Sequence, residues 1–134
     1  VLQAELELPR RDMDWLCAER DRLLAYRAER HPDWRRTPCA GSFFRNIEPT
    51  SKAERRQAAG WFLEQTGAKE MAVGGAAVHP GHANIIMKRD ESCTTAQVVE
   101  LATRMAAAVQ KRFGLTLVPE VRYLGDPLPA LWRR

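Results

Sequence analysis

The first residues of the chain alternate. Val1, Gln3, Glu5 and Glu7 fall on one face and Leu2, Ala4, Leu6 and Leu8 on the other. A period of two predicts a half-buried strand over residues 1–8, ended by Pro9. From residue 12 to about residue 30 the period changes. Trp15, Leu16, Leu23, Leu24 and Tyr26 gather on one stripe with charge elsewhere, which predicts a helix that buries that stripe and is closed by Pro32. Residues 31–41 hold two prolines and a glycine and are read as a linker-like loop.

A short strand with a polar edge is predicted over residues 41–47. Ser51, Lys52, Ala53 and Glu54 then match a capping box, and the helix after it carries Ala58, Trp61, Phe62 and Gln65 at helical spacing before stopping at Gly67. Residues 71–78 are apolar and split by Gly74 and Gly75, a strand with a bend. Residues 84–88 form another strand. Thr94 to Gln97 is a second capping box, opening a helix whose apolar face runs Val98, Leu101, Ala102, Met105, Val109 and Phe113 and which ends at Gly114. Residues 115–124 read as a last strand, with Pro119 at an edge or bend, and the tail from Gly125 as loose. The pattern is α+β: a small mixed or antiparallel sheet packed with three main helices. No internal repeat appears.

With 134 residues the chain has the size of one compact domain. No apolar run approaches the roughly 18 residues that span a bilayer, and no charged-then-apolar leader opens the chain, so a cytoplasmic, non-membrane protein is expected. The first residue is Val1, read as a processed end or a cut boundary. A net charge of +4 suits an anionic partner, but Lys and Arg are interleaved with Asp and Glu, which argues against nucleic acid. Cys17, Cys39 and Cys93 contain no C-x-x-C pair and suit neither a disulfide framework nor zinc, so a reducing compartment fits.

Three segments could carry chemistry. In residues 40–46, AGSFFRN, Gly41 admits close approach of a ligand, Ser42 supplies a hydroxyl, and Arg45 and Asn46 a cation and an amide. The plain reading is turn chemistry. No G-x-S-x-G elbow or hydrolytic triad accompanies it. In residues 73–84 two glycines, His79, His82 and Asn84 follow one another without a dinucleotide fingerprint or P-loop, and the plain reading is a tight turn with exposed histidines. In PEVR, residues 119–122, alternation would put Glu120 and Arg122 on one strand face, where they could share an anion or simply pair. Trp15 and Trp61 are expected in the core.

Together these segments resemble one family. AGSFFRN, the helix AAGWFLEQTGAK, GGAAVHPGHANII and LVPEVRYLG occur in the order and at the spacing of the MurB reductases, over about residues 20–125. The resemblance implies the C-terminal, substrate-binding part of a UDP-N-acetylenolpyruvoylglucosamine reductase, in which NADPH reduces FAD and the flavin reduces the enolpyruvyl ether of UDP-N-acetylglucosamine. It implies Ser42 as proton donor to the enolate carbon. It implies Glu120 as the stabilising or protonating group, for which a buried carboxyl with a raised pKa is suited. Asn46 and His82 match contacts to the diphosphate or nearby substrate groups. Arg122 matches an arginine near the family's catalytic glutamate, Arg30 aligns with a basic substrate residue by spacing alone, and Arg45 is a further candidate substrate contact.

The same resemblance divides the chain. Residues 1–30 would be the end of a flavin-domain strand plus a connecting helix, residues 31–114 the substrate-binding domain, and residues 115–134 a final strand, packed with an N-terminal part, and a tail. FAD would be held mainly by that absent part, leaving this piece inactive alone and prone to self-association through exposed strand edges. The competing reading is a non-catalytic basic module for RNA or a nucleotide, although no RNA-binding signature is present.

Overall fold

The computed structural model describes residues 2–33, 35–48 and 57–133. The backbone divides into two units, Val1–Arg30 and His31–Arg134.

The first unit contains one helix, α1 (Met13–Arg30). Asp12 starts it, its carboxylate accepting the Trp15 backbone N–H at 3.1 Å. Asp14 in the first turn and Arg27 and Arg30 in the last suit the helix dipole. The helix is where the periodicity put it, but no residue of α1 is buried. Trp15, Leu23 and Leu24 are all exposed, against the expected core stripe. The predicted first strand is absent too. Residues 2–10 have no regular structure, and Leu2, Leu6 and Leu8 are exposed. Alternation becomes a strand only where a neighbour supplies the ladder, and the described part of this unit contains only a helix.

The second unit is built on a four-stranded antiparallel sheet in the order β1-β4-β3-β2, with β1 Cys39–Ser42, β2 Ala72–Val73, β3 Ala76–His79 and β4 His82–Lys88. Helices α2 (Ala59–Gln65) and α3 (Thr95–Phe113) pack against the sheet and each other, which makes the fold α+β as expected. Phe44, Leu63, Leu101, Met105 and Val109 are the largest fully buried side chains. Each contributes roughly 1.5–3 kcal/mol by leaving water.

The α3 reading holds in detail. Thr94 Oγ1 accepts the Gln97 backbone N–H at 3.3 Å, and Gln97 Oε1 accepts that of Thr94 at 3.0 Å. The helix ends at Gly114. Gln97 Oε1 also accepts the Gly75 N–H at 3.1 Å, pinning the β2–β3 turn to the helix start. That turn replaces the predicted single bent strand: Val73 pairs with Ala76, so Gly74 and Gly75 form a tight hairpin. A Cβ at Gly74 would run into the Gln97 amide, and one at Gly75 into the Cys93 backbone.

Other expectations shift. The capping box at residues 51–54 lies outside the described residues. Helix α2 starts at Ala59 with Ala58 as an N-cap that makes no side-chain bond. Its buried stripe is Ala59, Phe62 and Leu63, spaced i, i+3, i+4, which leaves Trp61 exposed rather than in the core. Residues 115–124 are not a strand; one isolated bridge joins Pro119 to Phe44. Nor is the tail loose. Ala130–Trp132 is a 3-10 turn, the Trp132 indole N–H donates to Val121 O at 2.8 Å, and its ring packs edge-on against Phe43.

Candidate functional site

Strand β1 pairs Cys39 with Met87 and Ser42 with Ile85, so one extra residue lies in β1 between these pairs. Gly41, at φ +75°, occupies that bulge. Only glycine enters this left-handed region without a Cβ clash. Beyond Ser42 the ladder ends and the chain is passed to a different partner. Phe43 N–H still donates to the Asn84 backbone carbonyl at 2.7 Å. The Phe44 N–H donates instead to the Asn84 side-chain oxygen at 2.9 Å, and the Asn84 side-chain amide donates back to Phe44 O at 2.8 Å. On the opposite flank Arg45 N–H donates to Val118 O at 2.9 Å, and Glu120 N–H donates to Phe43 O at 2.8 Å. Phe44 and Pro119 face each other between those two bonds. This is the non-hydrogen-bonded position of an antiparallel pair, where the missing proline N–H costs nothing.

The hand-over brings distant groups into one cleft of about 380 Å³, lined by Ser42, Phe44, Arg45, Asn46, Glu48 and Glu120. Phe44 lies at its floor, buried and edge-on to the neighbouring buried Phe43. Ser42, Arg45, Asn46, Glu48 and Glu120 are exposed. Asn46 Oδ1 also lies 3.4 Å from the Ala59 backbone N–H, tying the cleft wall to the start of α2. The cleft therefore offers a hydroxyl, a guanidinium, an amide and two carboxyls to one small polar ligand. The burial expected around Glu120 is not supplied by the described residues.

The remaining candidates lie elsewhere. Arg122 lines a separate, mainly apolar groove with Phe43, Val98 and Trp132, so Glu120 and Arg122 do not share a strand face; without a ladder the segment has no fixed alternation. Arg30 belongs to the first unit, where its guanidinium sits 4.4 Å over the Tyr26 ring. His82 does not line the cleft. It is half-buried in β4, and its Nδ1 accepts the Asn84 backbone N–H at 3.2 Å, which leaves Nε2 as the proton-bearing nitrogen of the neutral ring. Burial holds the His82 and His79 pKa values below the ordinary histidine range, and nearby His31, whose ring centroid is 5.4 Å from that of His82, lowers both further. Among the described residues no group of three or more His, Cys, Asp or Glu could hold a metal ion. Sequence reasoning missed Glu48, which has no motif to mark it, and the structural part played by Asn84. The signal for Asn84 was visible: one amide inside the apolar run of β4.

The described residues do not fit a flavin dinucleotide. The Gly74-Gly75 turn, the one glycine pair that could cradle a diphosphate, is filled by Gln97 and the Cys93 backbone. Among the described residues the cleft beside Ser42 offers no stacked apolar walls for an isoalloxazine ring, and its side chains are mainly polar.

Comparison with known proteins bears on this geometry. Residues 32–124 match the family model described as UDP-N-acetylenolpyruvoylglucosamine reductase, C-terminal domain. The UDP-N-acetylenolpyruvoylglucosamine reductase of Geobacter metallireducens is 43% identical over 90 residues, 66% of this chain and 27% of that protein. Its counterpart in Haemophilus ducreyi is 35% identical over 125 residues, 79% of this chain and 36% of that protein. The Xylella fastidiosa (strain M12) reductase is 31% identical and covers 92% of this chain and 41% of its own length. The chain thus spans well under half the length of these relatives. The crystal structure of UDP-N-acetylenolpyruvylglucosamine reductase from Thermus caldophilus superposes on 83% of this chain and 36% of its own, with a TM-score of 0.56 at 24% identity, a likeness of fold.

Proposed function

Because this chain belongs to the UDP-N-acetylenolpyruvoylglucosamine reductase family, matching its C-terminal domain, we propose that the Ser42–Glu120 cleft is the proton-donating, substrate-holding half of a reductase active site. The substrate would be UDP-N-acetylglucosamine enolpyruvate, an intermediate of peptidoglycan synthesis. FAD and its reductant NADPH would be bound by residues outside this chain, whose own side chains would act on the proton side alone.

Reduction of an enolpyruvyl double bond adds a hydride to one carbon and a proton to the other. Between the two events the substrate carries an enolate whose carbon is a strong base. A serine hydroxyl is a weak acid, yet it is sufficient for such a base, and Ser42 gives that proton. Glu120 stabilises the enolate intermediate or takes part in its protonation. That role requires cover over Glu120, which the rest of the protein would contribute. Arg45 and Asn46, next to Ser42 in the same cleft, hold the carboxylate or phosphate oxygens, with the Arg45 guanidinium as the stronger partner. His82 Nε2–H, Arg122 and Arg30 are candidates for more distant parts of the nucleotide.

The single observation carrying this reading is that Ser42, Arg45, Asn46 and Glu120, from two distant chain segments, line one polar cleft. The test is turnover of the intact protein with NADPH and UDP-N-acetylglucosamine enolpyruvate. S42A is expected to lower kcat by roughly 10²–10⁴-fold, the usual worth of a positioned proton donor. A wild-type protein that leaves this substrate untouched, or an S42A variant that turns over normally, refutes the proposal. The present chain alone is expected to show neither a flavin absorbance band nor turnover.

A further inference from the structure

Asn84 is the one buried polar side chain among the described residues, 2% exposed in a strand whose neighbours Ala83, Ile85 and Ile86 are buried and apolar. Burying a carboxamide is unfavourable unless both its ends find partners, and a leucine there would serve the core at least as well. Its two ends are spent on a single residue, the N–H and the C=O of Phe44. A regular ladder would offer those groups backbone partners. Here a side chain takes them, and its extra reach lets the chain leave the β4 backbone after Phe43 and pair on its other flank with residues 118–120.

We propose that Asn84 is a positioning residue of the cleft: its buried amide holds the Phe43–Phe44 backbone where that segment bridges β4 to residues 118–120, and so sets Ser42 against Glu120. The inference rests on the proposed reductase role of the cleft and adds to it a residue that touches neither substrate nor reacting atoms. Ser42 directly precedes the clamped pair, and the Glu120 N–H is hydrogen-bonded to Phe43 O within it. If the amide is lost, Phe44 keeps a buried N–H and C=O with no partner on either side. The segment then slips, and the two flanks of the cleft lose their register together.

The test uses the intact flavoprotein and separates the half-reactions by the flavin absorbance. In N84L, reoxidation by UDP-N-acetylglucosamine enolpyruvate is expected to slow by about 10- to 100-fold, while reduction by NADPH stays within about twofold. The control is Ile86→Ala, a core change in the same strand, compared at temperatures equally far below each variant's Tm. Should N84L fail to fold, N84D carries the comparison. A neutral aspartic carboxyl can make both Phe44 bonds, so its reoxidation rate should recover as pH falls from 8 to 5. Equal slowing of both half-reactions, or an Ile86→Ala loss as large as that of N84L, overturns the proposal in favour of a purely structural amide. If the wild-type protein shows no reoxidation by this substrate, the reductase reading is what fails. Hydrogen exchange then decides the positional claim: the Arg45 and Glu120 amides, bonded on the far flank, should lose protection in the Asn84 variant alone, and unchanged protection overturns it.

Discussion

Two helices of nearly equal length behave in opposite ways. Helix α3, 19 residues, buries Leu101, Ala102, Met105 and Val109, whereas α1, 18 residues, buries none. Both have a starting cap and basic residues in the last turn, and both were visible in the periodicity. Local sequence decides that a helix forms; whether its apolar face is covered depends on what the rest of the chain brings to it. In α3 that is a sheet and α2. For α1 nothing among the described residues of its own unit does this, and Trp15, Leu23 and Leu24 are exposed.

The contrast can be broken by substitution. Leu101→Ala should cost about 2–5 kcal/mol in urea unfolding, because the fully buried site leaves a cavity. The same change at Leu23, 45% exposed, should stay within about 0.5 kcal/mol. Comparable losses at both sites would mean that α1 is packed after all. Gly75→Ala should cost about 1–3 kcal/mol, since its methyl has to displace the Cys93 backbone. A neutral Gly75→Ala would show the hairpin is not seated on the start of α3. Thr94→Ala removes the side-chain half of the capping box and should cost about 1 kcal/mol, read as a shift in the urea midpoint at constant slope.

The smallest effect is in pH. The folded pKa values of His79 and His82 lie below the ordinary value of about 6.5. Below that pH the unfolded chain binds protons that the fold resists, so stability is complete above about pH 6.5 and declines as pH falls through it. Tm should therefore drop modestly between pH 7.5 and 5.5, and the slope should flatten in an H79Q/H82Q double variant. A Tm that rises on acidification in this range would contradict the burial of these rings.

How far the sequence was legible follows the same line. The α3 cap, its face and its stop at Gly114 are all encoded within a few residues of where they act, and they appear as read. The strands at residues 1–8 and 115–124 depended on partners far away in the chain. Only residues 118–120 found one, in a single bridge from Pro119 to Phe44 flanked by two backbone hydrogen bonds. Trp132 looked like a loose end because its partners, Phe43 and Val121, are not its neighbours in sequence. In the cleft, Ser42 and the residues after it stood out as a motif. Their meeting with Glu120 depends on a bulge, a proline at a tolerant position and a buried amide, which a linear pattern does not reveal.

The most direct measurement of that meeting is a double-mutant cycle in the intact enzyme, with kcat determined for S42A, E120Q and the pair. Under the proposed role the two groups serve one proton transfer and fail as a unit, so the double variant should be no slower than the slower single variant by more than about threefold. Losses that multiply, the double variant falling by the full product of the two singles, would mean that the hydroxyl and the carboxyl act on separate events and would contradict the account.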